Sequence, residues 1–185
     1  TKEKGFKQLE DAEKLALAVR NHYGGKARLS RLEKVADGMN CRLAAFHAYS
    51  TVRMAAHFQS LIESIWKNLP MVLEELEEAR KNIDGLTHDE RAEADKLLKR
   101  LLRKRNLKHL ALAHDISFLY ASLSETLQIK DLLLCDIPQH RDKFLRRGER
   151  MLNGGPIEGG MEESVLNEMK KCEGKFHGHA LHLER

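Results

Sequence analysis

The chain is poor in proline and in aromatic residues: three prolines, and 5% Phe, Trp and Tyr, among 185 residues. That scarcity argues against an all-β sandwich, which needs Val-, Thr- and aromatic-rich runs with turn signals every 8–12 residues or so. Cysteine is scarce too. Cys41, Cys135 and Cys172 are odd in number and far apart. They form neither a disulfide framework nor a Cys-x-x-Cys metal site, which points to a reducing compartment. No apolar run reaches the roughly 18 residues of a membrane span, and no signal peptide is visible. A GxSxG elbow, a P-loop and a dinucleotide fingerprint are all missing. Nothing in the sequence supports catalysis or a bound cofactor. No internal repeat or low-complexity segment is visible. The chain begins at Thr1 rather than Met, the start expected of a piece cut from a longer protein.

What is abundant is periodic. Hydrophobic residues make up 42% and charged residues 32%, the mix of an all-α, multi-helix bundle with long antiparallel helices. The apolar content is too high for disorder. A chain of this size buries roughly 70% of its unfolded surface and forms one domain, or one domain with an appendage. Net charge is +4, from 32 basic and 28 acidic residues. This mild excess permits a nucleic-acid partner without arguing for one.

Apolar spacing predicts helices over 6–22 and 27–37, closed by Gly24-Gly25 and by Gly38. A long helix follows over 42–68. Its small-residue first half (Ala44, Ala48, Ala55) suits close approach to another helix, and so a partner face. Pro70 predicts a kink or a fresh start before helix resumes to about Arg80. Asn82-Ile83-Asp84-Gly85 reads as a turn. Thr87-His88-Asp89-Glu90 fits a capping box opening a helix to about Arg105, with Asn106 a candidate break. The stretch 107–129 is the most apolar and is expected to be the central helix. Leu132-Leu133-Leu134 continues it, and Pro138 opens a helix over 138–152. The organisation read from this is a helical bundle over 1–152, a Gly/Pro linker over 153–160, and a C-terminal helix with a flexible tail over 161–185.

Three constellations are candidates for chemistry. Lys96, Lys99, Arg100, Arg103 and Lys104 share one helix face by spacing, with Arg105 and Lys108 beside them. Such a stripe can follow a phosphate backbone. It can equally be a solvated face whose stems cover apolar surface. Glu74, Glu75, Glu77 and Glu78 read as a solvated acidic face, placed by the turn at 82–85 to neutralise that stripe. Cys172, His177, His179 and His182 have zinc-compatible ligand types. They lack a second cysteine and a helix to orient them, so a flexible tail is the expectation there. His57, His109 and His114 are expected as hydrogen-bonded core or boundary residues.

Order and spacing also carry a resemblance. Val19-Arg20-Asn21-His22-Tyr23, Arg28-Leu29-Ser30-Arg31-Leu32-Glu33 and Thr51-Val52-Arg53-Met54 resemble the middle of a hAT-type transposase. So do Asn68-Leu69-Pro70 with Leu73-Glu74-Glu75-Leu76, and Asp115-Ile116-Ser117-Phe118-Leu119 running on to Leu123-Ser124-Glu125-Thr126-Leu127-Gln128. The resemblance spans roughly residues 15–152. It implies the helical insertion domain of that family, which interrupts an RNase H-like core and supports DNA handling and oligomer formation. Two departures matter. The Trp that usually follows the motif Arg is Met54 here, which lacks a flat face for stacking on an extruded base. And no strand pattern of a catalytic core is present. The expectation is therefore a catalytically silent, transposase-derived scaffold of a nuclear protein. It would act through a protein partner or self-association. The alternative is a DNA- or RNA-binding module using residues 96–108 and Arg53. A nuclease fragment is the third and weakest reading.

Overall fold

The computed structural model describes residues 2–46, 54–81, 85–129, 135–153, 155–172 and 174–182. Ala48, Arg53, the turn residues 82–84 and the Leu132-Leu133-Leu134 run lie outside the described residues, as does the side chain of Ala55. Among the described residues the fold is an all-α bundle. Its helices are α1 (Lys2–His22), α2 (Lys26–Gly38), α3 (Met54–Lys81), α4 (His88–Leu101), α5 (Lys104–Leu127), α6 (Ile137–Leu152) and α7 (Met161–Lys171). A small hairpin of β1 (Lys175–Phe176) and β2 (His179–Ala180) follows.

The core lies where α3 and α5 meet, with α1 and α4 packed against both and α7 against α5. Leu15 and Val19 of α1, Ile62 and Leu73 of α3, Leu98 of α4 and Leu110 of α5 are all buried there. Each such side chain contributes about 1.5–3 kcal/mol by leaving water. Two helices lie at the edge: α2 packs chiefly on α3, and α6 chiefly on α5. The central position expected for 107–129 is filled by α5, but only along its first two-thirds.

Local signals explain most helix ends. α4 opens with the capping box. Thr87 Oγ1 accepts the Glu90 amide at 3.3 Å, and Glu90 Oε2 accepts the Thr87 amide at 3.1 Å. α2 closes one residue later than Gly38 suggests. Asn40 takes the left-handed conformation (φ 52°), its amide donates to the Asp37 carbonyl, and the Cys41 amide donates to the Ala36 carbonyl. This is the Schellman pattern with Asn in the usual glycine place.

Four expectations need correcting. The helix expected from 42 is absent over 41–46, where the backbone is non-helical. There Asn68, fully buried on α3, clamps Ala44: its Oδ1 accepts the Ala44 amide at 2.8 Å and its Nδ2 donates to the Ala44 carbonyl at 2.7 Å. Two hydrogen bonds to a buried amide override the helix propensity of an Ala-rich segment. Pro70 gives no fresh start: α3 runs through it as one helix. A proline inside a helix costs about 3 kcal/mol, and the burial of Leu69, Met71, Val72 and Leu73 on either side holds the helix together. The helix expected to run to Arg105 ends at Leu101, and α5 restarts at Lys104 after an extended Arg103.

The fourth correction concerns the C-terminal part. Residues 174–182, expected as an aperiodic flexible tail, form the hairpin and pack on the bundle. His177 and Gly178 both have positive φ (47° and 84°), the signature of a tight hairpin turn. Phe176 is buried in the main core and meets Trp66 edge-on at 6.2 Å. The His182 amide donates to the Leu102 carbonyl at 3.0 Å. Val165 and Met169 of α7 are also in the core, so the described residues of this part pack on the bundle.

Candidate functional site

The basic segment is divided by the break between α4 and α5. Lys96, Lys99 and Arg100 sit on the last turns of α4, while Lys104, Arg105 and Lys108 sit on the first turns of α5. The shared helix face expected for 96 to 104 therefore does not exist. Arg103 lies at the corner, in a β-bridge with His182. Two of the cations are already matched within the chain: Lys99 pairs with Asp95 at 2.5 Å and Arg105 with Asp11 at 3.7 Å. Buried leucines explain the break. Leu101 and Leu102 are both buried, and the chain must turn between them and Leu107 to keep all three inside.

Three of the acids, Glu74, Glu75 and Glu77, take partners outside this segment. Glu77 pairs with Arg80 and Lys81, and Glu74 lies 3.7 Å from His179. Glu75 is no solvated residue at all. It is 2% exposed and accepts hydrogen bonds from Tyr23 Oη at 2.8 Å and Arg31 Nε at 3.0 Å. Next to it Arg28 grips Glu93 with both guanidinium nitrogens, at 3.0 and 2.6 Å, and one of these nitrogens reaches His22 Nδ1 at 3.1 Å. This network ties α1, α2, α3 and α4 together. Burial, reinforced by the Glu75 carboxylate, raises the Tyr23 hydroxyl well above its usual range. The hydrogen bond from Arg28 holds Glu93 below the ordinary carboxylate value. Burial, and then the Arg28 charge, pushes His22 down. The network has the chemistry of a structural lock. Tyr23 is kept neutral, and each carboxylate is spent on a guanidinium.

The zinc-compatible residues are not brought together. Cys172 is exposed after α7, His177 lies 3.5 Å from Glu168, and His179 turns to Glu74. Among the described residues no group of three or more His, Cys, Asp or Glu gathers in a way that could hold a metal ion. His114 is a boundary histidine as expected, 3.2 Å from Asp115 and stacked on Phe118.

Asp115 itself has a structural task that sequence reading missed. Its buried carboxylate accepts the amides of Met161 (2.8 Å) and Glu162 (3.0 Å), capping α7 from a different helix. The N-terminal amides of a helix have no partner of their own, and a carboxylate there is favoured by the helix dipole. Gly160 makes this possible, because a Cβ there would lie 2.6 Å from Asp115 Oδ2.

The expected partner face over Ala44, Ala48 and Ala55 is not a helix face at Ala44, whose backbone is already spent on Asn68. The exposed apolar surface lies elsewhere. Phe118, Tyr120, Leu127, Ile129 and Leu145 are each roughly half exposed. All five belong to the second half of α5, the residues just past its end, or α6. Tyr120 meets Phe144 edge-on at 5.5 Å, which holds α6 on α5. Beside that contact lies a hollow of about 330 Å³, lined by Phe118, Leu119, Leu123 and Phe144 together with Lys143 and Arg147 and by polar residues between them. The sequence signal was present. The apolar residues of 116–129 spread over more than one face of the helix, which allows either full burial or a face left for a partner. A second hollow, of about 800 Å³, lies between the end of α1, α2 and residues 43–46. Its wall includes Arg20, Tyr23, Glu33 and Phe46.

The chain matches no protein-family model, no curated protein and no solved structure.

Proposed function

We propose that this chain is a non-catalytic helical interaction domain that meets a protein partner through the arm formed by the end of α5 and by α6. One observation carries the reading: among the described residues, five of the six exposed large apolar side chains lie on the second half of α5, just past its end or on α6, and Met39 alone lies elsewhere. Contiguous apolar surface beside polar rims is the mark of an interaction site, whereas scattered apolar residues are not. The rest of the molecule supports a scaffold role. Among the described residues, the Arg28–Glu93 and Arg31–Glu75 pairs and the Asp115 cap on α7 each join one helix to another.

The hAT-type resemblance fits this proposal and adds an ancestry, that of a transposase-derived scaffold in a nuclear protein. Several residues of the resembling motifs are spent inside the bundle: Arg28 on Glu93, Arg31 on Glu75, Asn68 on Ala44 and Asp115 on α7. Motif positions of that kind keep a helical frame. The nucleic-acid reading is weaker, because the basic segment is broken at Arg103 and partly matched by Asp11 and Asp95.

Light scattering of the full chain over a wide concentration range tests the proposal, together with pull-downs that compare wild type with Leu127→Ser/Leu145→Ser. Self-association, or a bound protein lost with the double variant, supports it. A strict monomer with no variant-sensitive partner sinks it.

A further inference from the structure

Resting on that reading, we infer that the hollow between α5 and α6 receives an acidic amphipathic helix of another protein. Three features choose this occupant. First, both walls are helices, whose interior backbone groups are satisfied within each helix. A partner cannot add as a strand and must be read through side chains, which is the helix-in-groove mode with apolar anchors at i, i+4 and i+7.

Second, the lining joins four apolar side chains to the cations Lys143 and Arg147 and to polar Ser122, Thr126 and His140. α6 carries Arg141, Lys143, Arg146, Arg147 and Arg150 against Asp142 and Glu149. Arg141 pairs with Asp142, and Arg150 pairs with Glu158. Arg146 donates to the Asp142 carbonyl. The cations lining the hollow, Lys143 and Arg147, make no ion pair with a described carboxylate, nor does the adjacent His140. Carboxylates flanking an apolar anchor would complete these charges, and complementary charge selects the partner and speeds its approach.

Third, a second copy of the chain fits poorly. A two-fold contact brings the same patch from both copies into one interface, and so gathers both sets of Lys143 and Arg147 there with no carboxylate of the hollow's lining to match them. Nor does the chain have a described helix to lend. The acidic start of α7 belongs to a helix whose Val165 and Met169 are buried, and α4 likewise buries Leu97 and Leu98.

The test uses the full 185-residue chain and a displayed library of peptides about 16 residues long, roughly four helical turns. Leu is fixed at i, i+4 and i+7, and the flanking positions are random. The expected result is enrichment of Asp and Glu at the flanks. A synthesised winner should then lose about tenfold or more in affinity to Lys143→Glu/Arg147→Glu, and similarly to Phe118→Ser. Both variants sit on exposed or groove-lining positions and should keep the wild-type helical circular dichroism and melting temperature. Should either unfold, charge-neutral Lys143→Gln/Arg147→Gln gives the same reading.

Winners with neutral or basic flanks, or winners indifferent to the charge variant, overturn the acidic occupant. So does tighter binding to phosphatidylserine vesicles than to any winner, with the same sensitivity to Phe118→Ser. If no peptide is enriched and the chain self-associates in light scattering, this inference fails while the interaction-domain reading stands. If no peptide is enriched and no variant-sensitive protein contact of any kind is found, both fail together.

Discussion

Glu75 shows how much a single side chain can hide. Its neighbours Glu74 and Glu78 make the stretch look like a solvated acidic face, yet only Glu74 of the four acids is exposed. Glu75 points inward to Tyr23 and Arg31 instead. Removing one partner of a buried pair leaves the other charge uncompensated, at a cost of about 3–5 kcal/mol. Glu75→Leu and Arg31→Leu should each destabilise the fold by about that much. The double variant should cost clearly less than their sum, with a coupling of about 1–3 kcal/mol in urea denaturation. Strict additivity would remove the pair from the account. His22, next in the same network, gives a pH prediction. Its Nδ1 lies against an Arg28 N–H and therefore accepts, so protonation there sets two donors and two positive charges face to face. Burial is the larger cause of the lowered value and Arg28 the second; Glu75 and Glu93 oppose them. The folded protein thus keeps His22 neutral below the ordinary 6.5, while the unfolded chain takes up a proton there. Stability contributed by neutral His22 is complete above about pH 6.5 and is lost as pH falls from there towards the folded value, by at most about 1.4 kcal/mol per pH unit. Wild type should lose melting temperature between pH 7.5 and 5.5 more steeply than His22→Gln. Parallel curves would mean that His22 does not set this slope. Glu93, held low by Arg28, acts only in the more acidic range below its ordinary 4.5.

At the scale of elements, what the sequence reveals depends on whether a signal is local. The capping box at Thr87 is complete within four residues, and α4 starts where it predicts. Apolar spacing places α1, α2, α6 and α7 within a few residues of their observed bounds. Failures occur where a distant residue decides. Ala44 reads as helix until Asn68, 24 positions later, takes both its backbone groups. The N-terminus of α7 has no side-chain cap of its own, because Asp115 supplies it from α5. The hairpin was the most legible of the missed elements. His177-Gly178, with Gly174 before it, is a turn signal between two short segments, but each strand is too short to show a period of two. Its docking is testable through the single tryptophan. Phe176 is 1% exposed against Trp66. Phe176→Ala should cost about 3–5 kcal/mol and shift Trp66 emission to the red while the protein is still folded. Unchanged emission, with stability within about 1 kcal/mol of wild type, would show that the hairpin is not part of the core in solution.

For the whole molecule, the question is where the small excess of positive charge acts. The total is +4, and two regions compete for it. Residues 96–108 carry more cations, yet they are split between two helices, with Lys99 and Arg105 matched by carboxylates. α6 carries fewer, but Lys143 and Arg147 line the hollow without such matches. A nucleic-acid site needs many phosphate contacts along one continuous track, and its affinity falls with salt in proportion to their number. A short, bent track with some of its charge already neutralised has few contacts to release. The full chain should therefore bind a 20-base-pair duplex of mixed sequence weakly at best, on the order of 10⁻⁴ M at physiological salt. Arg100→Glu/Arg103→Glu/Arg105→Glu should change that little more than the loss of net charge requires, and no more than Arg141→Glu/Arg146→Glu/Arg150→Glu on α6. Fluorescence anisotropy at several salt concentrations reads both affinity and slope. Micromolar binding with a steep slope, abolished by the first triple variant and untouched by the second, would reverse the ranking. It would put the basic segment ahead of the α5–α6 arm as the working surface of the molecule.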